Sequence, residues 1–305
     1  KEGHALIVDH YCGKFGVNSQ QRHENLLSVT RSLHGRDFVV SADECEAAFD
    51  QLRNARKLDR SGMSLAFLKL AFRVVPGFIV GALNILVNSP SDLSLEVIGG
   101  LVWGKESPHP RPQSVRAILP LSSCLNLLDF ILATRLRLAI QNTFVIPNSI
   151  YIGNVPKSQC LDIAFVSQQV IEKGGDDQGR GAVGQCDVKQ FYDNISPVLF
   201  VRRAMQRGID PGLLLACLNV QLKPDVHLKL LGCDGPLGPR SFGSLTGSRL
   251  AGQIGNYIMH DVVEGIAPEI GFRGYQTALG PVALATWVDN LFSFSNSVSN
   301  CIEIL

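Results

Sequence analysis

Two short apolar runs, residues 282–287 and 291–295, are separated by only three residues. Each run has the length and the β-branched and aromatic content of a strand. The intervening Val288, Asp289 and Asn290 leave room only for a tight turn, and asparagine tolerates the left-handed backbone that such turns need. We therefore predict a β-hairpin with Asp289 at its tip.

A third strand is predicted at residues 182–186, a short apolar run that ends at Asp187 and has the composition of a buried strand. Pro76 and Gly77 interrupt one long helical pattern, so a break is predicted there. Polar or glycine-rich loops are predicted at residues 90–112, 174–181 and 232–247. The other predicted elements are helices at residues 43–57, 65–87, 122–141, 158–173 and from 196 and 248, and a strand near 97–103.

The overall composition describes a globular chain. Of 305 residues, 46% are hydrophobic and 18% are charged, which argues against disorder. The net charge of +1 gives no global basic footprint of the kind that nucleic-acid binders show. Two local basic stretches are candidates for such contacts or, alternatively, for solvated helix faces: Arg111, Arg116, Arg135 and Arg137, and Arg202, Arg203 and Arg207.

The eight cysteines predict free thiols in a reducing intracellular compartment. No two of them are within four residues of each other, so the sequence contains no CxxC metal pair. The longest charge-free apolar stretch, residues 74–87, is too short to span a bilayer, and no membrane association is expected. Because the chain begins at Lys1, without an initiator Met or a signal-peptide pattern, we expect it to be a fragment or a processed product.

Asp187 and Asp289 are the candidate catalytic residues. Asp187 follows one predicted strand, and Asp289 joins the two predicted strands of the hairpin. Transfer of a nucleotide to a 3′ hydroxyl is commonly run by two divalent metals, which need carboxylates that converge from separate strands. Only tertiary folding could bring these two aspartates together. The alternative for each is a turn former or a helix cap.

Residues 187–195, Asp-Val-Lys-Gln-Phe-Tyr-Asp-Asn-Ile, resemble motif A of reverse transcriptases. That motif is an aspartate followed five residues later by an aromatic residue, then Asp, any residue and Ile. The resemblance implies that Asp187 binds both metals. It also implies that Tyr192 excludes the 2′ hydroxyl of a ribonucleotide, whereas the alternative for Tyr192 is core packing at a strand–helix junction.

Residues 285–291 resemble motif C of the same family, Tyr-any-Asp-Asp. Trp287 stands in place of the tyrosine, and Asp289 matches the first aspartate, the principal metal ligand. Asn290 replaces the second aspartate. The resemblance therefore implies a metal site at Asp187 and Asp289, with Asn290 as a weak auxiliary ligand and one fewer negative charge.

Two further segments resemble the family in the correct order. Residues 243–256 resemble motif B, with Gly247 and Asn256 in register, which implies that Gly247 lets the backbone approach the template and nucleotide. Residues 116–121 resemble the fingers segment Arg-Pro-Ile-Ser-Leu. The resemblance implies that Arg116 and Lys105 contact the triphosphate of the substrate, as arginine and lysine suit phosphate.

The resemblance runs from about residue 40 to 296 and is closest to the enzymes of non-LTR retrotransposons and group II introns. It implies an α+β fold: a palm, in which an antiparallel sheet has helices packed on one face, and a mostly helical fingers subdomain. Residues 1–40 would form a lead-in, 41–180 the fingers and 181–305 the palm, with no thumb in the chain.

The implied activity is that of an RNA-directed DNA polymerase of a retroelement, which adds dNTPs to a primer 3′ end. It implies two Mg²⁺ ions, replaceable by Mn²⁺, an RNA template, a DNA or RNA primer, and a nuclear location if the element is eukaryotic. Three alternatives stay open: a decayed remnant without activity, an RNA-binding module that uses the arginines, and an RNA-templated RNA polymerase, against which Tyr192 argues.

Overall fold

The computed structural model describes residues 2–53, 55–104, 111–112, 115–153, 158–176, 181–230, 232–277 and 280–305. Helices and strands are mixed, in agreement with the predicted α+β class. The chain divides into two compact units. The first unit is Lys1–Ala139 with Tyr192–Gln253, and the second is Ile140–Phe191 with Ile254–Leu305.

The described helices and strands follow one another along the whole chain. The helices are α1 (Glu2–Lys14), α2 (Gln20–Leu33), α3 (Ala42–Gln51), α4 (Leu65–Val74), α5 (Pro76–Asn88), α6 (Pro90–Leu93), α7 (Ser123–Thr143), α8 (Cys160–Asp176), α9 (Pro197–Gln206), α10 (Pro211–Leu222), α11 (Arg249–Ile270) and α12 (Val298–Ile304). The strands are β1 (Val97–Gly104), β2 (Val115–Ile118), β3 (Ile150–Ile152), β4 (Ala182–Asp187), β5 (Asp225–Leu230), β6 (Cys233–Pro236), β7 (Tyr275–Thr277), β8 (Gly280–Val282), β9 (Leu284–Trp287) and β10 (Asn290–Ser295).

The first unit contains a four-stranded sheet in the order β2-β1-β5-β6. Strand β1 is antiparallel to β2 and parallel to β5, and β5 and β6 form an antiparallel pair. The predicted helix at residues 122–141 is confirmed as α7, and its leucines at helical spacing are fully buried: Leu125, Leu128, Leu132 and Leu136. Helix α10 is mostly apolar, and its polar Asn219 and Gln221 are buried together with its apolar side chains, as expected of a core helix.

Several local predictions in the first unit are confirmed, whereas α6 and β6 lie within segments predicted to be loops, 90–112 and 232–247. Helices α4 and α5 separate at Pro76, because proline lacks an N–H and disfavours helical backbone at Val75, which has φ −135° and ψ 63°. Strand β1 confirms the predicted strand near 97–103. Helix α3 ends at Gln51 and not at residue 57, because Leu52 adopts extended backbone and turns inward to a buried position.

The second unit contains a four-stranded sheet in the order β3-β9-β10-β4. The predicted hairpin is confirmed as β9 and β10, and β10 also pairs antiparallel with β4. Strand β3, which the sequence analysis did not identify, pairs parallel with β9. This sheet is therefore mixed, whereas a purely antiparallel sheet was predicted.

Helices cover both faces of this sheet, so the prediction of helices on one face is wrong. Successive residues of a strand point to opposite faces. Leu284 lies in a buried cluster with residues of α11 and α12, namely Val263 and Ile304. Its neighbour Ala285 lies in another cluster with Ile163 of α8 and with Phe294.

Strand β4 is less buried than predicted. It is an edge strand, and its residues change from half-buried at Ala182 to exposed at Gln185, Cys186 and Asp187. The predicted loop at 174–181 is corrected in part, since α8 extends to Asp176. Residues 177–180 lie outside the described residues.

Three further expectations concern the whole chain. The predicted fingers and palm segments each contribute residues to both compact units, so those two names stay predictions. All eight cysteines are free thiols, as expected. Within the described ranges, no helix is both long enough and apolar enough to cross a membrane.

Candidate active site

The pairing of β4 with β10 brings the two candidate aspartates to one end of the second unit's sheet. Asp187 lies directly opposite Asn290 in the antiparallel register. Such Cα partners lie ~4.5–5.5 Å apart. Beyond the last pair, the Val188 N–H donates to the carbonyl oxygen of Asp289 at 2.7 Å. Asp187 and Asp289 are therefore neighbours, although the sequence separates them widely.

Asn290 links the polar side chains at this end of the sheet. Its Oδ1 accepts a hydrogen bond from Gln185 Nε2 at 3.2 Å, and its Nδ2 donates to Asp289 Oδ1 at 3.0 Å. Gln185 and Asp187 point to the same face because they are two residues apart on one strand. The Asn290 amide thus orients the Asp289 carboxylate. The exposed Asp187 carboxylate forms no hydrogen bond to another described residue.

The backbone around both aspartates is strained. Val288 has φ +58° and Gln190 has φ +54°, and no other non-glycine residue in the described part of the chain has positive φ. Positive φ at the first central residue of the hairpin turn, and not at the second, is the pattern of a type II′ turn. Valine, not the predicted asparagine, adopts the left-handed conformation. Such strain costs about 1–3 kcal/mol and clusters at functional sites.

The oxygens gathered here have the chemistry that Mg²⁺ prefers. Asp187 and Asp289 supply two carboxylates, and Asn290 supplies an amide oxygen. Mg²⁺ is commonly held by one or two carboxylates together with substrate phosphates, so this donor set fits. Among the residues that the structure describes, no group of three or more His, Cys, Asp or Glu side chains forms a metal-ligating cluster.

The remaining predicted site residues belong to the first unit or are not described. Tyr192 is half-buried in a single 3₁₀ turn, and Gly247 is exposed with φ +101° and open space at its Cβ position. Arg116 is exposed on β2, opposite Trp103 of β1. Lys105 lies outside the described residues.

Within the first unit, the segments that resemble motifs A and B lie against each other. The Ser244 N–H donates to the Tyr192 carbonyl at 3.0 Å, and the Gly243 N–H donates to the Ile195 carbonyl at 3.0 Å. These backbone hydrogen bonds hold the two segments in a fixed relation. The structure thus brings together residues around Tyr192 and the loop that carries Gly247.

Sequence reasoning missed Asp129, a fully buried acid on α7. It accepts hydrogen bonds from the Ser248 hydroxyl and from the N–H groups of Arg249 and Leu250, the latter at 2.8 and 3.2 Å. Asp129 therefore caps the N-terminus of α11 from another helix. Burial raises the pKa of Asp129, and these donated hydrogen bonds oppose that rise.

Gln221 completes this buried network. Its Oε1 accepts from the Leu245 N–H at 2.9 Å, and its Nε2 donates to Ser248 Oγ at 2.8 Å. Together, Asp129 and Gln221 anchor both ends of the loop that contains Gly247. One sequence signal for a buried acid was available, because Asp129 lies on the same helical face as Leu125 and Leu132.

Comparisons with known proteins give no family for this chain. No protein-family model matches it, and no curated protein matches it. The candidate site therefore rests on its own geometry and chemistry.

Proposed function

We propose that this chain is the fingers-and-palm part of a reverse-transcriptase-type nucleotidyltransferase. It would extend a DNA or RNA primer on an RNA template with deoxynucleotides. The observation that carries the proposal is the register of β4 against β10, which sets Asp187 opposite Asn290 and beside Asp289. In this proposal β4, β9 and β10 form the catalytic part of a palm.

Asp187 and Asp289 would hold two Mg²⁺ ions, for which Mn²⁺ could substitute. When bound, such ions activate the primer 3′ hydroxyl and stabilise the pyrophosphate leaving group. Asn290 keeps the Asp289 carboxylate oriented through its 3.0 Å hydrogen bond. Because Asn290 is neutral, the site has one fewer negative charge than a Tyr-any-Asp-Asp hairpin, and its affinity for Mg²⁺ is expected to be lower.

The other predicted residues keep their proposed roles around the substrate. Tyr192 would exclude the 2′ hydroxyl of a ribonucleotide, Gly247 would admit the template and nucleotide, and Arg116 and Lys105 would contact the triphosphate. The fixed relation between the Tyr192 turn and the loop of Gly247 supports this, because a sugar gate and a template contact must act on the same nucleotide.

Primer extension tests the proposal directly. The 305-residue protein is incubated with a labelled primer on an RNA template, dNTPs and either Mg²⁺ or Mn²⁺. Asp187→Asn is expected to slow extension about 100-fold or more, equivalent to about 2.7 kcal/mol of activation free energy. Asp50→Asn is the matched control, since it removes an acid whose side chain is 72% exposed on α3, and it should extend normally.

Asn290→Asp separates an active enzyme from a decayed one. Restoring the second carboxylate is expected to lower the Mg²⁺ concentration that gives half-maximal extension. If neither the wild type nor folded Asn290→Asp extends the primer with either metal, the polymerase proposal is wrong. RNA binding that Asp187→Asn leaves unchanged but Arg116→Ala weakens would then identify an RNA-binding module.

A further inference from the structure

Helices α4 and α5 present an apolar surface, called here the α4–α5 face, which no described residue covers. No residue between Val74 and Val87 is charged. Six large apolar side chains on these helices and the bend between them are 45–73% exposed: Phe67, Leu70, Val74, Val75, Phe78 and Ile85. An exposed cluster of this size typically marks an interaction site.

The exposed face of α5 has both a groove and a ridge. Gly77 and Gly81 are one helical turn apart, and a Cβ atom built on either would meet nothing within 4 Å. An open groove of about 620 Å³ runs over these glycines, and Phe78 and Ile85 line it. A surface of this shape admits close approach of another helix.

We propose that the α4–α5 face is a homodimer interface in which α5 of one copy crosses α5 of a second copy. A two-fold symmetric dimer must use the same patch on both partners. The α4–α5 face satisfies this condition because the Phe78 and Ile85 ridge lies beside the Gly77 and Gly81 groove on one helix. The ridge of each copy can therefore pack into the groove of the other.

The charges at the two ends of the face favour a second copy in an antiparallel arrangement. Arg73 ends the exposed part of α4, while Asp92 lines the far end of the groove. Neither side chain forms an ion pair with another described residue. An antiparallel crossing brings Arg73 of each copy towards Asp92 of the other. Because the stretch between these two residues is free of charge, no like charges face each other across the crossing.

The available area is sufficient for a specific dimer. Six large apolar side chains that are half to three-quarters exposed offer roughly 600 Å² per copy, close to the ~800 Å² per partner of a standard interface. Flanking polar atoms would supply the remainder. This inference is independent of the proposed polymerase function, and either can fail alone.

Sedimentation equilibrium and light scattering test the dimer. At concentrations around 10–100 µM, the wild type should show twice the 33.1 kDa mass of the chain. Gly81→Leu fills the groove in open space and is expected to fold like the wild type, with an unchanged circular dichroism spectrum, while raising the dimer Kd at least 100-fold. Phe78→Glu should do the same. Leu6→Glu is the control, since Leu6 is a 61% exposed leucine on α1, and it should remain dimeric.

A charge swap tests the antiparallel arrangement. Arg73→Asp alone should raise the dimer Kd at least tenfold, and adding Asp92→Arg should restore it. A wild type that stays monomeric at 100 µM overturns the proposal, as does a dimer that Gly81→Leu and Phe78→Glu leave intact. Co-flotation of monomeric protein with neutral phosphatidylcholine vesicles, lost in Phe78→Glu, would assign the face to a lipid surface and would likewise overturn it.

Discussion

The hairpin turn at Val288 offers a test in which the usual order of stability of an alanine and a glycine variant is reversed. Val288 has φ +58°, and a left-handed conformation costs an L-residue with a Cβ atom about 1–2 kcal/mol. Val288→Ala keeps this cost, whereas Val288→Gly removes it and loses about 0.5–1 kcal/mol to the greater freedom of glycine in the unfolded chain. The glycine variant is therefore expected to be more stable than the alanine variant by about 0.5–1 kcal/mol.

Val282 provides the matched control within the same unit. It ends β8, is also half-buried and does not have positive φ. Val282→Ala should be more stable than Val282→Gly by about 0.5–1 kcal/mol, the ordinary order for a strand. Urea denaturation followed by circular dichroism gives the free energy of unfolding of each variant.

The two Val288 variants should also differ in primer extension. The strained turn holds Asp289 next to β4, so Val288→Gly is expected to extend more slowly than Val288→Ala although it is the more stable protein. An alanine variant that is more stable than the glycine variant at position 288 would refute the assignment of strain. Equal extension by the two variants would refute its role in placing Asp289.

Three further substitutions test the energetics of buried and paired charges by urea denaturation. Glu44→Gln should cost about 1 kcal/mol at pH 7. Burial would raise the pKa of Glu44, but hydrogen bonds from Arg135 and the helix cap lower it overall. The loss should therefore shrink once the pH falls below the ordinary glutamate pKa of about 4.3, and it should disappear when the pH falls below the lowered pKa of the folded state. Asp129→Ala should cost roughly 3 kcal/mol of stability, because it leaves the Ser248 hydroxyl and two N–H groups without their acceptor. A loss below about 1 kcal/mol would contradict the stabilising role of this network. Arg240→Met should be neutral or stabilising by up to about 2 kcal/mol. Burial lowers the pKa of Arg240 to about 10, and its Nη1 has no hydrogen-bond partner among the described residues. A loss above about 2 kcal/mol would show that the guanidinium stabilises the fold.

Local elements were predictable because short-range rules specify them. Leucines at helical spacing gave α7, and Pro76 separated α4 from α5. Ser196 caps α9, with Pro197 at its first position, as the sequence indicates. Each of these signals depends on residues within a few positions of one another.

Other elements carried no usable local signal. Helix α10 has apolar residues on every face, so it shows no periodicity that would distinguish a buried helix from strands. Strand β3 has only three residues, which is too few for an alternation to be recognised. The leucine face of α7 indicates that Asp129 is buried, but no local pattern indicates that its partner is Ser248.

The sequence by itself determined that Asp187 ends a strand and that Asp289 lies in the turn of a hairpin. Side-chain size, turn length and the alternation of polar and apolar residues are properties of each segment, so each segment reveals them. Only the tertiary structure decided that β4 lies beside β10, which makes the two aspartates neighbours. Strands pair through backbone N–H and C=O groups that nearly every residue offers alike, so the choice of partner depends on how the whole sheet buries its two faces.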